Sequence, residues 1–310
     1  MKVYFETLGC PKNFNDTQAA EGFLLNDGFE LAETPEESDF IIVNTCGFIN
    51  DAKRESIDKI FEMMDFREDG KKLIVSGCLS QRYAAELADE MPEVDRFIGV
   101  NDYERLPEIL RSLKDNTMDE KERAEVSCEY SSKLPLLDRH IEEGAYSATL
   151  RIAEGCYNRC AYCVIPSIRG GFRSKAMEDV ISEAESLASK GIKEIILIAQ
   201  DVTNYGTDLY DRYALPELLK KLVKVEGIQW IRLMYCYEDR ITDELIEVMA
   251  SEPKICHYID VPIQHSSDKV LKEMFRRSTG DSIRNTMERL RSAMPDIAIR
   301  TTLIVGFPGE

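Results

Sequence analysis

A chain of 310 residues, 44% hydrophobic and with only 17 glycines and 11 prolines, is long enough for two domains and globular in composition, which excludes a disordered chain. Its 57 acidic against 39 basic residues give a formal charge of −18; this is opposite to the basic stripe a nucleic-acid partner demands, so a basic partner is expected, with plain solubility as the alternative. No run of 18 apolar residues occurs, which excludes a transmembrane helix. Nine cysteines behind an N-terminus without a signal-peptide pattern point to metal or redox chemistry in the cytoplasm rather than to disulfides.

In chain order, KVYFET reads as a strand, residues 15–28 (NDTQAAEGFLLNDG) as a helix closing on Gly28, and DFIIVNT as a buried strand. Residues 51–66 carry Ile57, Ile60, Phe61 and Met64 at helical spacing. KKLIVSG is a third strand and residues 81–91 a third helix; DRFIGV and residues 103–113 form a fourth pair. Strands alternating with helices predict an α/β fold with an open parallel sheet. Cys10, Cys46 and Cys78 each follow one of the first three strands, and the carboxyl ends of parallel strands share an edge. Cysteines 36 and 32 residues apart in sequence therefore become neighbours, each beside a glycine (Gly9, Gly47, Gly77) that lets backbone approach a bulky ligand. The expectation is a second iron–sulfur cluster on three thiolates; the bland alternative is three buried structural cysteines.

From about Lys114 to Tyr146 the periodicity fails in a polar, charge-rich stretch, which predicts a linker and a boundary between domains 1–137 and 138–310. Beyond it, residues 147–153, 192–200, 228–235, 256–262 and 296–306 read as strands, separated by helices over 177–191, 215–227, 242–251, 268–277 and 282–294. At least five β/α units predict a partial or full parallel β/α barrel, with its active residues at strand C-termini. The cysteine loop, Gln200–Asp201, Tyr235–Asp239 and Gln264–His265 all sit there.

Cys156, Cys160 and Cys163 follow C-x3-C-x2-C, three thiolates within eight residues and no fourth cysteine or histidine close behind. A structural zinc site requires four protein ligands; a cubane cluster held by three thiolates keeps one iron open for a small molecule. A zinc knuckle with a distant fourth ligand is the alternative.

With Tyr162 just before the last cysteine, the block AEGCYNRCAYCVIPSIRG resembles the signature of radical S-adenosylmethionine enzymes. The resemblance implies a 4Fe-4S cluster on Cys156, Cys160 and Cys163 that binds S-adenosylmethionine, and a second half of radical-SAM barrel type. A second three-cysteine set in an α/β domain ahead of it is similar to the methylthiotransferase family, through LGCPKN (8–13), VNTCGFI (43–49), SGCLSQRY (76–83) and LIVGFPGE (303–310). That family inserts sulfur at a carbon–hydrogen bond and methylates it, which implies two 4Fe-4S clusters and two equivalents of S-adenosylmethionine. LGCPKN and NTCGFI resemble the branch acting on the β-carbon of an aspartate in small-subunit ribosomal protein S-twelve. The tRNA-modifying branch, which carries YGCQMN-like and NTCxxR-like sequences at these places, is the first alternative. A non-catalytic iron–sulfur electron carrier is the second, and a zinc scaffold the blandest.

The same resemblance places Tyr162, Gln200, Asp201 and Gly306 around S-adenosylmethionine, although the family's Gly-Gly-Glu pattern is absent and Thr302 stands where glycine is common. Arg169 and Arg173 are candidates for a substrate carboxylate, with solvated arginines as the alternative, and His265 is a candidate for substrate or cofactor, with a satisfied structural histidine as the alternative. Cys128, Cys236 and Cys256 lack ligand spacing and are read as non-ligands; His140 and His257 carry no motif. Expected partners are the basic ribosomal protein and a reductant protein such as flavodoxin or ferredoxin, with no membrane. The chain reads as a fragment, with sequence missing beyond Glu310; the family's RNA-binding-like TRAM domain, absent here, is where RNA contact is expected.

Overall fold

In the computed structural model, which describes residues 1–67, 70–130, 134 and 138–310, the chain divides into two packed units. The first takes in Met1–Ser131 and adds Leu137–Ile141 and Ser167–Arg169; the second comprises the remainder. Residue 137, the expected end of the first domain, lies outside the described residues.

The first unit runs β1 (Lys2–Thr7), α1 (Pro11–Asn26), β2 (Glu30–Leu31), β3 (Phe40–Thr45), α2 (Asn50–Met64), β4 (Lys72–Gly77), α3 (Cys78–Glu90), β5 (Arg96–Phe97) and α4 (Leu106–Lys114). Its sheet is parallel throughout, in the order β2-β1-β3-β4-β5. Every residue of β3 is buried because both faces are covered. Phe40 and Ile42 pack with Leu24 of α1 and Leu110 of α4, and the alternate residues Ile41 and Val43 pack with Ile60 of α2 and Leu87 of α3.

Three details differ from the sequence reading. Helix α1 begins at Pro11 rather than Asn15, because proline at the first helical position is preorganised for a helix start. Helix α3 begins at Cys78 rather than Gln81. In α2 the core-facing residues are Ser56, Ile60 and Met63, whereas Phe61 is 51% exposed; this rotation sets the Ser56 hydroxyl under Cys46. The polar stretch after Lys114 is also partly docked rather than loose: Arg123 donates to the carbonyls of Val94 and Met91, and Arg96 to that of Glu125.

The second unit opens with β6 (Ser147–Arg151) and β7 (Ala153–Glu154); α5 (Ile165–Arg169), whose last three residues pack with the first unit, precedes β8 (Arg173–Ser174). Then come α6 (Met177–Ser189), β9 (Glu194–Ile198), α7 (Leu215–Leu222), β10 (Trp230–Leu233), α8 (Asp243–Ser251), β11 (Ile255–Asp260), α9 (Asp268–Glu273), α10 (Gly280–Ala293) and β12 (Ala298–Arg300). β6, β9, β10, β11 and β12 lie side by side in chain order and all parallel, the wall of a partial β/α barrel. The antiparallel pair β7–β8 brackets the cysteine loop. The last strand is three residues rather than the predicted eleven. It lies at the sheet edge, paired only with β11, and beyond it Leu303 makes one isolated bridge to Gln264 while Val305 is 83% exposed.

Candidate metal centres

In the first unit the three cysteines follow strand ends, two of them at helix starts. Cys10 is the N-cap of α1, Cys46 directly follows β3, and Cys78 is the first residue of α3. Asn13, one turn into α1, holds its Oδ1 3.8 Å from both the Cys10 and the Cys78 Sγ. It is fixed there because its Nδ2 donates to the Thr45 carbonyl (2.9 Å) and its own carbonyl accepts from Asn44 (2.9 Å). Ser56 accepts from the Cys46 N–H (3.0 Å) and donates to its carbonyl (3.2 Å), pinning that loop. Burial pushes the Cys46 and Cys78 thiols up, and at Cys78 the Arg169 guanidinium works against that rise. Helix N-termini and a nearby guanidinium both favour the thiolate a metal requires.

The glycines beside these cysteines have no room for a side chain. Gly9 sits at φ +95°, where a Cβ would lie 2.7 Å from the Cys46 Cβ. Gly77 sits at φ +94°, where a Cβ would lie 2.5 Å from the Thr45 carbonyl oxygen. Gly77→Ala is therefore expected to cost about 1–3 kcal/mol from the backbone conformation alone, with the overlap in addition. Thermal unfolding should show a lower melting temperature.

In the second unit, Gly155 at φ +77° carries the chain past Gly171, whose carbonyl oxygen would strike a Cβ there, and the Cys156 N–H donates to the Gly170 carbonyl (3.1 Å). The Asn158 N–H donates to the Cys156 Sγ (3.3 Å), and the Cys163 N–H donates to the Cys160 carbonyl (3.0 Å). Cys156 and Cys160 are buried and Cys163 half-buried. Burial pushes the Cys156 thiol up to about 11 and raises Cys163, and the Cys160 sulfur adds to the rise at both. Such thiols suit a metal that displaces their protons on binding. Among the described residues no three His, Cys, Asp or Glu side chains close on one point as a single-ion site would.

Tyr162 lies against Cys160, and burial followed by that neighbouring sulfur raises its phenol. Gln200 donates to Glu154, which also receives Arg151. Asp201 is 1% exposed, and its carboxylate is engaged by Arg240, by Asn158 Nδ2 (3.0 Å) and by the Thr203 hydroxyl (2.7 Å). Gly306, at φ +75°, has open space where a Cβ would stand, and its N–H donates to Glu310 (2.7 Å). Arg169 is buried with Asp16 inside the first unit, so the carboxylate it meets belongs to this chain. Arg173 donates to the Gly171 carbonyl (2.9 Å). His265 accepts from the Ser267 N–H at Nδ1 (2.9 Å) and lies 3.5 Å from Glu310 at Nε2. Cys128 is exposed, Cys256 half-buried, and Cys236 fully buried beside Asp201 and Asp260.

Sequence reasoning passed over four residues that frame these loops and reached a fifth, Tyr237, only as part of a strand end. Asn13 and Asn158 stood inside the quoted motifs, three and two residues after a cysteine, and that short polar spacing was the available signal. Tyr237 brings its hydroxyl to 3.7 Å from the Cys160 Sγ, and Arg276 stacks over the Tyr237 ring with 4.3 Å to its centroid. Arg240 clamps Asn158 Oδ1 (2.9 Å) as well as Asp201. Arg240 and Arg276 come from later β/α turns and had no local signal, whereas Tyr237 lies within the strand-end segment Tyr235–Asp239. Beside Cys160 opens a cavity of about 340 Å³ bordered by Tyr157, Arg159, Tyr237, Phe275, Arg276 and Arg277, among others.

Comparison with known proteins fits this arrangement. Residues 2–99 match the Uncharacterized protein family UPF0004 and residues 150–310 the Radical SAM superfamily. The ribosomal protein uS12 methylthiotransferase RimO of Acetivibrio thermocellus is 50% identical over 317 residues, an alignment covering all of this chain and 69% of the relative. The protein of the same name from Geobacter sulfurreducens is 50% identical over 311 residues with the same coverage. Among solved structures, TsrM, a radical S-adenosylmethionine methyltransferase from Kitasatospora setae, matches 97% of this chain and 67% of its own with a TM-score of 0.68 at 14% identity. The cobalamin-dependent enzyme OxsB matches 98% of this chain and 49% of its own with a TM-score of 0.66 at 14% identity, and both likenesses bear on the fold. With half of its residues identical along its whole length to enzymes of that name, the chain belongs to the RimO family of radical S-adenosylmethionine methylthiotransferases.

Proposed function

We propose that this chain adds a methylthio group to the β-carbon of an aspartate in ribosomal protein uS12. The observation that carries the reading is identity of 47–50% with uS12 methylthiotransferases across the entire chain. A 4Fe-4S cluster and S-adenosylmethionine, when bound, supply hydrogen abstraction at an unactivated carbon and the methyl group. Cys156, Cys160 and Cys163 would hold that cluster, in a loop kept in shape by Asn158. Tyr162 would lie along the adenosyl part, Gln200 and Gly306 would line the rest of the site, and Asp201 would act from behind through Asn158. Cys10, Cys46 and Cys78 would hold a second 4Fe-4S cluster, in a domain read as residues 1–137, with the radical domain at 138–310; the shared Asn13 and the glycines without room for a Cβ support that assignment.

A formal charge of −18 favours a basic protein substrate over a tRNA. An acidic reductant, flavodoxin or ferredoxin, fits the arginines around the cavity beside Cys160. No helix among the described residues is long and apolar enough to cross a membrane, and a ribosomal substrate supports a cytoplasmic location. RNA contact is assigned to a C-terminal domain of the kind the family carries.

The test pairs two substrates. Anaerobically reconstituted protein with S-adenosylmethionine, a reductant and sulfide is given either a peptide carrying the uS12 aspartate loop or a tRNA containing isopentenyladenosine. Mass spectrometry is expected to find the methylthio gain on the peptide alone. Gain on the tRNA alone would replace the substrate.

A further inference from the structure

The last residue of α5 does something that its sequence position does not suggest. Arg169 follows Cys163 by six residues, yet its side chain is 2% exposed in the first unit. One guanidinium nitrogen, Nη2, reaches two partners: it lies 3.3 Å from the Cys78 Sγ and 2.8 Å from the Asp16 Oδ2. That nitrogen donates to the sulfur and holds the carboxylate by charge, outside hydrogen-bond geometry. Asp16, also 2% exposed, lies on α1 one turn after Asn13, the residue between Cys10 and Cys78.

Burying a guanidinium is costly unless it is paired and hydrogen-bonded. Pairing with Asp16 alone would meet that need anywhere in the core. Here the pair is oriented, with the cation against the sulfur and the carboxylate behind it. A positive charge donating to a ligand sulfur stabilises the more negative, reduced form of a cluster, and hydrogen bonds to ligand sulfurs are among the means by which proteins set such potentials. The carboxylate behind it attenuates the same effect.

We propose that Arg169 and Asp16 are opposed positioning residues that set the reduction potential of the second cluster through the Cys78 sulfur. The inference rests on the reading of Cys10, Cys46 and Cys78 as ligands of that cluster. It predicts opposite signs: loss of the Arg169 charge makes the cluster harder to reduce, and loss of the Asp16 charge makes it easier. A merely structural role would move both variants the same way or move neither.

The experiment uses the full chain bearing Cys156→Ala, Cys160→Ala and Cys163→Ala, so that only the second cluster is present. Its reduction is titrated by electron paramagnetic resonance with Arg169→Gln, Asp16→Asn and the double variant. Arg169→Gln should raise the oxidised-to-reduced ratio at fixed poise about tenfold, ~59 mV for one electron, and Asp16→Asn should lower it. The double variant keeps a neutral pair, protects the fold against an unpaired buried charge, and should return close to the starting potential; Arg169→Lys should fall between. A cluster present in every variant but with shifts of one sign, or none, overturns the proposal. Absence of iron from the triple-cysteine background would overturn the two-cluster reading itself, and the proposal with it.

Discussion

Replacing Cys156, Cys160 and Cys163 together by alanine is expected to abolish 5′-deoxyadenosine formation while leaving roughly half of the iron in the protein. The fall in rate should be about a thousandfold or more, within the ~10⁶-fold or greater acceleration typical of enzymes. Two of the three side chains are buried, and alanine is smaller than cysteine, so the loop keeps its N–H donors and loses only sulfur. The converse variant, with alanine at Cys10, Cys46 and Cys78, should still form 5′-deoxyadenosine and retain about half of the iron, yet transfer no methylthio group. Iron and sulfide analysis, with chromatography of the nucleoside, reads both. If each variant lost both activities equally, the two cysteine sets would not divide the work as assigned here.

Arg240→Leu should produce a large stability loss in the second unit. Asp201 is 1% exposed, and Arg240 is the cation that engages it. Removing one member of a buried pair leaves an uncompensated charge and typically costs about 3–5 kcal/mol. That corresponds to a melting temperature lower by roughly 6–20 °C in a unit of this size. Burial raises the Asp201 carboxyl above its ordinary value, and Arg240, Thr203 and Asn158 oppose the rise. A carboxyl whose folded pKa exceeds its unfolded value of about 3.9 binds more protons in the folded state, so its contribution to stability worsens as pH climbs. Without Arg240 the rise is greater. The penalty should therefore be full at neutral pH and shrink as acid protonates Asp201. Calorimetry of both proteins at equal metal loading, from neutral pH downward, measures it; a penalty independent of pH would show that the guanidinium acts by packing rather than by charge. Asn158 shares the network and donates to Cys156, so weaker iron retention should accompany the loss.

The sequence exposed what depends on period and spacing. Phe40–Thr45 reads as a buried strand because both of its faces are apolar, and the six cysteines stand out because each lies at a strand end or within one short loop. What stayed hidden depends on rotation and long-range pairing. Ile57, Ile60, Phe61 and Met64 satisfied helical spacing as a set, but the turn of α2 is fixed by Ser56 bonding to Cys46, and that leaves Phe61 in solvent. Pro11 and Cys78 begin helices without the usual side-chain cap, so both starts were placed too late. Arg169 looked like a residue of the cysteine loop, and only tertiary structure pairs it with Asp16. The strand at 298–300 was overextended because an apolar run resembles a strand whether or not a neighbour is there to pair with it.

The placement of Arg169 also bears on how the protein is made. The first unit has its own sheet and two packed faces, but its polar interior includes a side chain synthesised 91 residues after Cys78. At ~5–20 residues per second, a ribosome takes roughly five to eighteen seconds to cover that distance, and the tunnel delays emergence further. Throughout that interval the nascent sheet can form while Asp16 and Cys78 await the guanidinium. The polar interior of the N-terminal unit is thus completed by a piece of chain that emerges only after the second unit has begun.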